Sequence, residues 1–499
     1  MPSRPYRINA SLSASPTPLQ PPAHYSSHVL IVGASVTGLV TAWSLLDRGH
    51  RVTIISKDWP SPSSSSSSSE HITFPASTAL WELPPAHRRH SHAQRSSRRS
   101  RSSSSHPDQH TLQGWAAESF AAYQALARDP ELASASGVRM RKCTSFSTFR
   151  VGVDEATYER MQTARRIAPR GFRWGLKTLA DEYEVNVDAG GGLRDGYEHY
   201  APVIDTDVAM AFLVQLVTDK GAVLVTETVH GDELVEREEY LRDVYRADVI
   251  VNAMEVDNTH RHKPNPNEDD DDDGENTEVV VLRVLNDGST FPQINHSMVV
   301  SQTNPDGSQE STTFIVPRSD NILLLGYAEQ STNDSELDHH HHHHHHLDHH
   351  HHHNHHHDDH HNDDHHHHHH HNLLTDLETE TPMPMQMPTP TPTPALTPEL
   401  QALRERCEDL LPILRDARLD PTCPVAQGIR PFGESRIRLE RERRRMSVGG
   451  RGRGQTQSRV VHCYAQGGAG WSMAFGESRS CVRLVEGMLR GMERVSARL

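Results

Sequence analysis

HVLIVGASVTGLVTAWSLLDRGHRVTIISKD, His28 to Asp58, is the stretch on which the fold turns. HVLIV is a short apolar run of the kind buried in a parallel sheet, closed by Gly33. A helical pattern follows through Leu46, and RVTIIS (Arg51 to Ser56) reads as a second strand, so the chain opens on a βαβ unit. The turn GASVTG (Gly33, Ala34, Ser35, Val36, Thr37, Gly38) lies between strand and helix, where unpaired N–H groups and the positive end of the helix dipole face a pyrophosphate. Gly33 permits the tight turn and Gly38 a close helix–sheet approach. Ser35 stands where GxGxxG has its middle glycine, which sets a side chain at the closest approach to phosphate. Lys57 and Asp58 follow the second strand, and Asp58 lies near where an acid would hold an adenosine ribose. Gly33, Ser35, Thr37, Gly38 and Thr41 interrupt the apolar run His28 to Leu46, which therefore reads as strand, turn and helix, with no membrane span.

Much of the remaining chain is too biased to bury a core. Of 499 residues, the Ser run 63–69, the Arg/Ser tract 88–105, the acidic run 264–275, the His-rich stretch 338–372 and the Met/Pro/Thr repeat 381–398 are compositionally loop-like. Roughly 340 residues remain, enough for two domains. The formal charge of −16 resides in the tracts, since Glu268 to Glu275 supply −7 and Asp334 to Glu378 supply −10. A nearly neutral remainder gives no electrostatic reason to expect nucleic-acid or anionic-membrane partners. The 25 histidines between His339 and His371 follow no fixed ligand spacing, so no metal site is assigned. Five cysteines without a CxxC pair argue against a disulfide scaffold and a structural zinc site. The first 26 residues, rich in Pro and Ser, read as a disordered tail, with a presequence as the alternative.

Between the tracts, strands and helices alternate. Asp205 to Thr218 reads as a helix, and GAVLVTETV (Gly221 to Val229) and ADVIVNA (Ala247 to Ala253) as strands. TTFIVPRSDNILLLGY reads as two strands bent at Arg318 to Asp320. VVHCYA (Val460 to Ala465) is a strand leading to a second glycine turn, Gly467-Gly468-Ala469-Gly470, followed by Trp471, Ser472 and a helix. Such a turn aims backbone N–H groups at an anion, and reduced flavin carries negative charge at N1 and C2=O. Two glycine turns at opposite ends of the chain favour FAD over NAD.

With GASVTGLVTAWSLLDRGHRVTIISKDWP, ASTALWELPPA (Ala76 to Ala86), APVIDTDVAM (Ala201 to Met210), ADVIVNA, FIVPR (Phe314 to Arg318), QGIRPF (Gln427 to Phe432), RIRLERE (Arg436 to Glu442) and VVHCYAQGGAGWSMAFG in family order, the chain resembles the D-amino-acid oxidase family of flavoproteins. The resemblance implies an α/β fold, an FAD-binding Rossmann-like domain interleaved with a mixed-sheet substrate domain. It also implies hydride transfer from a D-amino acid to flavin N5, reoxidation by O2 to hydrogen peroxide, and hydrolysis of the imino acid to a 2-oxo acid and ammonia. Arg430 matches the arginine whose guanidinium fork clamps the substrate carboxylate. Arg436, Arg438 and Glu440 read as a structural charge pattern on a strand.

The implied division is a tail (1–26), FAD-binding segments at 27–86, 201–257 and 399–490, substrate-domain segments at 109–200 and 278–330, and disordered insertions at 87–108, 258–277 and 331–398. Several family positions differ. The active-site tyrosine is Phe314, the NATG turn reads Asn252-Ala253-Met254-Glu255, the AGA element reads Ser77-Thr78-Ala79, and the YGHGG turn reads Tyr464 to Gly468. Added side chains in place of glycine would weaken FAD binding. These departures leave two alternatives, a glycine- or sarcosine-type amine oxidase on the same fold and a non-catalytic relic that has lost FAD. The C-terminal Ala497-Arg498-Leu499 fits a peroxisomal address read by an import receptor, with the cytoplasm as the alternative location.

Overall fold

The computed structural model describes residues 6–23, 26–59, 79–83, 107–230, 233–254, 276–303, 309–331, 396–431, 437–447, 455–464 and 469–496. The Ser/Arg, acidic and His-rich tracts, the Met/Pro/Thr repeat up to 395, Gly467, Gly468 and the C-terminal tripeptide lie outside the described residues.

Two sheets organise the chain. The first has the order Arg438–Arg441, Val460–Tyr464, Val249–Asn252, His28–Val32, Arg51–Ser56, Val223–Thr226. All neighbours are parallel except the edge pair Arg438–Arg441 with Val460–Tyr464. Buried parallel strands need apolar residues on both faces, and HVLIV supplies them. Val29 and Ile31 pack with the helices Val36–Leu46, Thr206–Asp219 and Gly470–Ser496, while Leu30 and Val32 pack on the other side with Leu234 and Leu241. The chain goes from the central strand His28–Val32 to Arg51–Ser56 on one side and later returns as Val249–Asn252 on the other. The crevice at the carboxyl ends of His28–Val32 and Val249–Asn252 is therefore a topological switch point, where open α/β sheets bind ligands.

The second sheet has the order Val425–Pro431, Asn276–Leu285, Ile322–Ser331, Gln309–Pro317, Ser297–Thr303, Val138–Ser147, Asp195–Ile204, Arg173–Trp174. It is mixed, with one parallel pair, Ser297–Thr303 beside Val138–Ser147. One face packs on the helix Pro398–Leu410 through Leu282, Ile315, Leu323 and Leu325. The opposite face carries Cys143, Val299, Phe314 and Val316 toward Trp81 and Phe120.

Four expectations change. Residues 6–23 are not a tail: Leu12, Ser13 and Ala14 are buried. The Asp47 carboxylate, at the end of the helix Val36–Leu46, accepts from Ser13 N (2.7 Å), Leu19 N (3.0 Å), Trp43 Nε1 (3.1 Å) and Lys220 Nζ (2.7 Å). A carboxylate placed there satisfies backbone donors that composition cannot reveal. The segment boundary at 200/201 also moves, because Asp195–Ile204 pairs with Val138–Ser147 along its whole length and belongs to the mixed sheet. Val425–Pro431 likewise joins that sheet beside Asn276–Leu285, although the sequence assigned it to the FAD-binding part. Conversely, the helix Gln109–Arg128 packs on Gly470–Ser496, with Tyr123 Oη donating to Trp471 O (2.8 Å) and Trp115 Nε1 to Ser480 Oγ (3.0 Å).

Candidate active site

The turn after the first strand has the geometry its glycines imply. Gly33 N donates to Ile55 O (2.8 Å), and its φ of +110° is one that residues with a side chain rarely adopt. A Cβ on Gly33 would lie 2.5 Å from Ala253 O, and one on Gly38 would lie 2.4 Å from Gly33 O. Strand, helix and the loop after Val249–Asn252 are thus in backbone contact. Ser35 does not obstruct the turn as its place in the motif suggested. It caps the helix, accepting from Gly38 N (3.2 Å), and donates through Oγ to Ala253 O (2.8 Å). Its hydroxyl is thereby turned back into the fold. Gly33 to Val36 remain partly exposed, and Lys57 and Asp58 are exposed at the end of the adjacent strand. First-turn N–H groups beside an exposed carboxylate form a donor and acceptor set that fits the pyrophosphate and ribose of FAD.

The two ends of the chain meet. Thr41 Oγ1 donates to Ser478 Oγ (3.0 Å), Ser478 Oγ donates to Thr37 O (3.2 Å), and Arg48 pairs with Glu486 (2.9 Å). These pairs advance together along both helices, so Val36–Leu46 and Gly470–Ser496 run in the same sense. Gly470 precedes Ser478 by eight residues, so the later helix starts about 12 Å ahead of Thr37 along its axis. An elongated cofactor that meets the first helix at its pyrophosphate can meet the second farther along its length. Ala469 accepts from Met473 N (3.1 Å), and Gly470, Trp471 and Ser472 occupy the first turn, whose N–H groups have no intrahelical partner.

The mixed sheet closes on this helix start through one segment. Leu80 bridges Val203, Trp81 N donates to Pro202 O (3.0 Å), and Glu82 N donates to Ser472 Oγ (3.1 Å). Phe314, which stands in place of the family's tyrosine, is 6% exposed, and its ring covers Gly326. Arg430 pairs through its backbone with Thr277, and strand alternation sets position 430 on the sheet face that carries Ala426 and Phe314. Its side chain lies outside what is described.

A buried polar chain that the sequence reading missed supports the turn. Met254 N donates to Asn252 Oδ1 (3.2 Å), Asn252 Nδ2 meets His462 Nδ1 (3.3 Å), and His462 Nε2 meets Glu442 Oε2 (3.0 Å). Arg438 pairs with Glu442 (3.3 Å) and Glu440 (3.0 Å), in keeping with the structural role expected for Arg438 and Glu440. Burial and then Arg438 lower the His462 pKa against the pull of Glu442. Burial raises Glu442, but His462 and Arg438 outweigh it and the net shift is downward. Asn252 and His462 were present in the quoted motifs, but only the pairing of Val460–Tyr464 with Val249–Asn252 puts them opposite one another.

Comparison with known proteins agrees with this geometry. Residues 28–479 match the family model described as FAD dependent oxidoreductase (DAO). A D-amino-acid oxidase of Rubrobacter xylanophilus is 25% identical over 317 residues, which is 62% of this chain and 73% of that protein. The crystal structure of glycine oxidase from Bacillus cereus superposes with a TM-score of 0.50 at 12% identity, covering 93% of this chain and 95% of that one, a likeness of fold. The chain belongs to the FAD-dependent oxidoreductase (DAO) family, whose cofactor is FAD.

Proposed function

We propose that the protein oxidatively deaminates a D-amino acid, using O2, to a 2-oxo acid, ammonia and hydrogen peroxide. The observation that carries the reading is the clamp from Glu82 N to Ser472 Oγ, which holds the Phe314-bearing face of the mixed sheet against the start of the C-terminal helix. Bound FAD supplies the two-electron acceptor. The first turn of Val36–Leu46 would hold the pyrophosphate, Asp58 the ribose, and the backbone from Gly467 to Ser472 would stabilise the reduced flavin. Arg430 clamps the substrate carboxylate and so fixes which hydrogen on Cα faces the acceptor. No acid or base side chain is required when the amine enters neutral. The substrate loses two electrons and two protons to O2, and water adds to the resulting imine and expels ammonia.

Phe314 favours a second reading, a glycine- or sarcosine-type amine oxidase, because no hydroxyl at that position helps to hold the carboxylate. Peroxide release from a panel of D-amino acids and N-methyl amino acids separates the two readings. A purified protein that shows no flavin band at about 450 nm and takes up no added FAD would overturn both in favour of a relic. The peroxisome is the proposed location, with Ala497-Arg498-Leu499 engaging the import receptor. Unchanged import after deletion of the tripeptide would refute it.

A further inference from the structure

The polar chain behind the returning loop has a direction, and one backbone group sets it. Met254 N–H can only donate, so the oxygen of the Asn252 amide faces it (3.2 Å) and the amide nitrogen, a donor, faces His462 Nδ1 (3.3 Å). His462 Nδ1 is then the acceptor, the ring proton sits on Nε2, and Nε2 donates to Glu442 Oε2 (3.0 Å). Asn252 and His462 are both buried, so bulk water offers neither a substitute partner. The charged and titratable groups facing the ring are Glu442, with Arg438 and Glu440 beside it at the sheet edge, and Tyr464 edge-on at 5.7 Å between ring centroids. Burial and then Arg438 hold the ring below its ordinary pKa, so it is neutral at pH 7. At its other end the chain touches the cofactor turn: Met254 N lies 2.7 Å from where a Gly33 Cβ would stand, and Ala253 O accepts from Ser35 Oγ (2.8 Å).

We propose that His462 is a positioning residue for FAD: a proton added to its ring breaks the chain to Met254 and loosens the cofactor turn, so that the protein holds FAD more weakly in acid. The reason is the count of donors. A protonated imidazole donates from both nitrogens, so Nδ1–H would point at the Asn252 NH2. If the amide turns over to offer its oxygen to the ring, the NH2 meets Met254 N–H instead. Wherever the amide sits, two buried donors face one another, and such a pair costs free energy until one of them moves. The movable member is Met254, in the loop after Val249–Asn252, and the Gly33 turn packed against that loop shifts with it. Binding FAD in acid therefore expels one proton from His462 Nδ1 to solvent. The inference rests on FAD occupying the first turn and is independent of which amine is oxidised.

The test is titration of the full-length apoprotein with FAD from pH 7.5 to pH 4.5, followed by flavin absorbance, with calorimetry in two buffers of different ionisation enthalpy to count protons and thermal melting at each pH to confirm folding. A single linked proton changes affinity by up to about 10-fold per pH unit, so the wild-type Kd is expected to be flat near pH 7.5 and at least ~10-fold weaker at pH 4.5, with a proton released on binding in acid. His462→Asn keeps an acceptor at the Nδ1 position and does not titrate; its Kd is expected to lose most of that dependence, and its binding to release no proton. Asn252→Asp accepts from both Met254 N–H and a protonated His462, so acid is expected to leave its Kd unchanged or to tighten it, an outcome that a merely structural asparagine would not give. A wild-type Kd independent of pH while the protein stays folded, or an unchanged pH dependence in His462→Asn, overturns the proposal and leaves the oxidase reading standing. If His462→Asn does not fold, a Kd that weakens in acid as steeply in Asn252→Asp as in the wild type decides against it. A protein that takes up no FAD at any pH overturns both.

Discussion

Replacing Gly33 by alanine strikes the point where cofactor turn, first strand and returning loop meet. The new Cβ would lie 2.5 Å from Ala253 O, 2.6 Å from Ala253 C and 2.7 Å from Met254 N, all backbone atoms that cannot rotate away. At φ +110° the alanine also carries about 1–3 kcal/mol of backbone strain. Relief requires the turn to move away from Ala253, which stretches the Ser35 Oγ to Ala253 O bond (2.8 Å) and shifts the first-turn N–H groups. One lost charge-assisted hydrogen bond to pyrophosphate is worth about 1.5–3 kcal/mol, which is roughly 10- to 150-fold in FAD affinity. The assay is titration of apoprotein with FAD, followed by absorbance, beside thermal melting of the apoprotein. Gly114→Ala is the control: no atom lies within 4 Å of its added Cβ, and it sits within the helix Gln109–Arg128. It is expected to stabilise by roughly 0.5–1 kcal/mol and to leave FAD affinity unchanged. If Gly33→Ala binds FAD as tightly as the wild type and melts at the same temperature, the backbone contact does not shape the site.

Ser35→Ala removes a helix cap and the tie to Ala253, and is expected to cost about 1 kcal/mol in urea unfolding, whereas Ser35→Gly should cost only a few tenths. A larger loss in the glycine variant would contradict the capping role. Lys220→Met leaves the buried Asp47 carboxylate without its cation and should destabilise by about 3–5 kcal/mol, with partial recovery in the Lys220→Met, Asp47→Leu double variant; additive losses in the double-mutant cycle would refute the pairing. Burial pushes both His199 and His296 down to about 4, below the roughly 6.5 of an unfolded histidine. Between those values the unfolded chain binds more protons, so this contribution is fully present above pH 6.5 and is lost as pH falls toward 4, at up to about 1.4 kcal/mol per pH unit for each ring. Urea midpoints measured from pH 7 to pH 4 should fall less steeply in His199→Phe, and an equally steep or steeper fall would show that His199 is charged in the folded state.

His28 to Ser56 declared its own structure, because an apolar run of sheet length, a glycine at the turn and a helical repeat act within 30 residues and need no distant partner. The two strands hinged at Arg318 were equally readable, as was the helix after Asp205, which accepts from Val208 N as its cap. What the sequence misjudged depends on partners far along the chain. Ser13 is ordered because Asp47, 34 residues away, accepts from its N–H, and position 35 tolerates serine because Ala253 O, 218 residues away, accepts a hydrogen bond from its hydroxyl. Val425–Pro431 joined the mixed sheet because its backbone groups found a ladder with Asn276–Leu285, a pairing that no local pattern specifies. His199 looked like any residue of a strand. Only the packing of Trp81 against that strand buried its ring, since burial and hydrogen-bond satisfaction belong to the assembled chain and not to any segment of it.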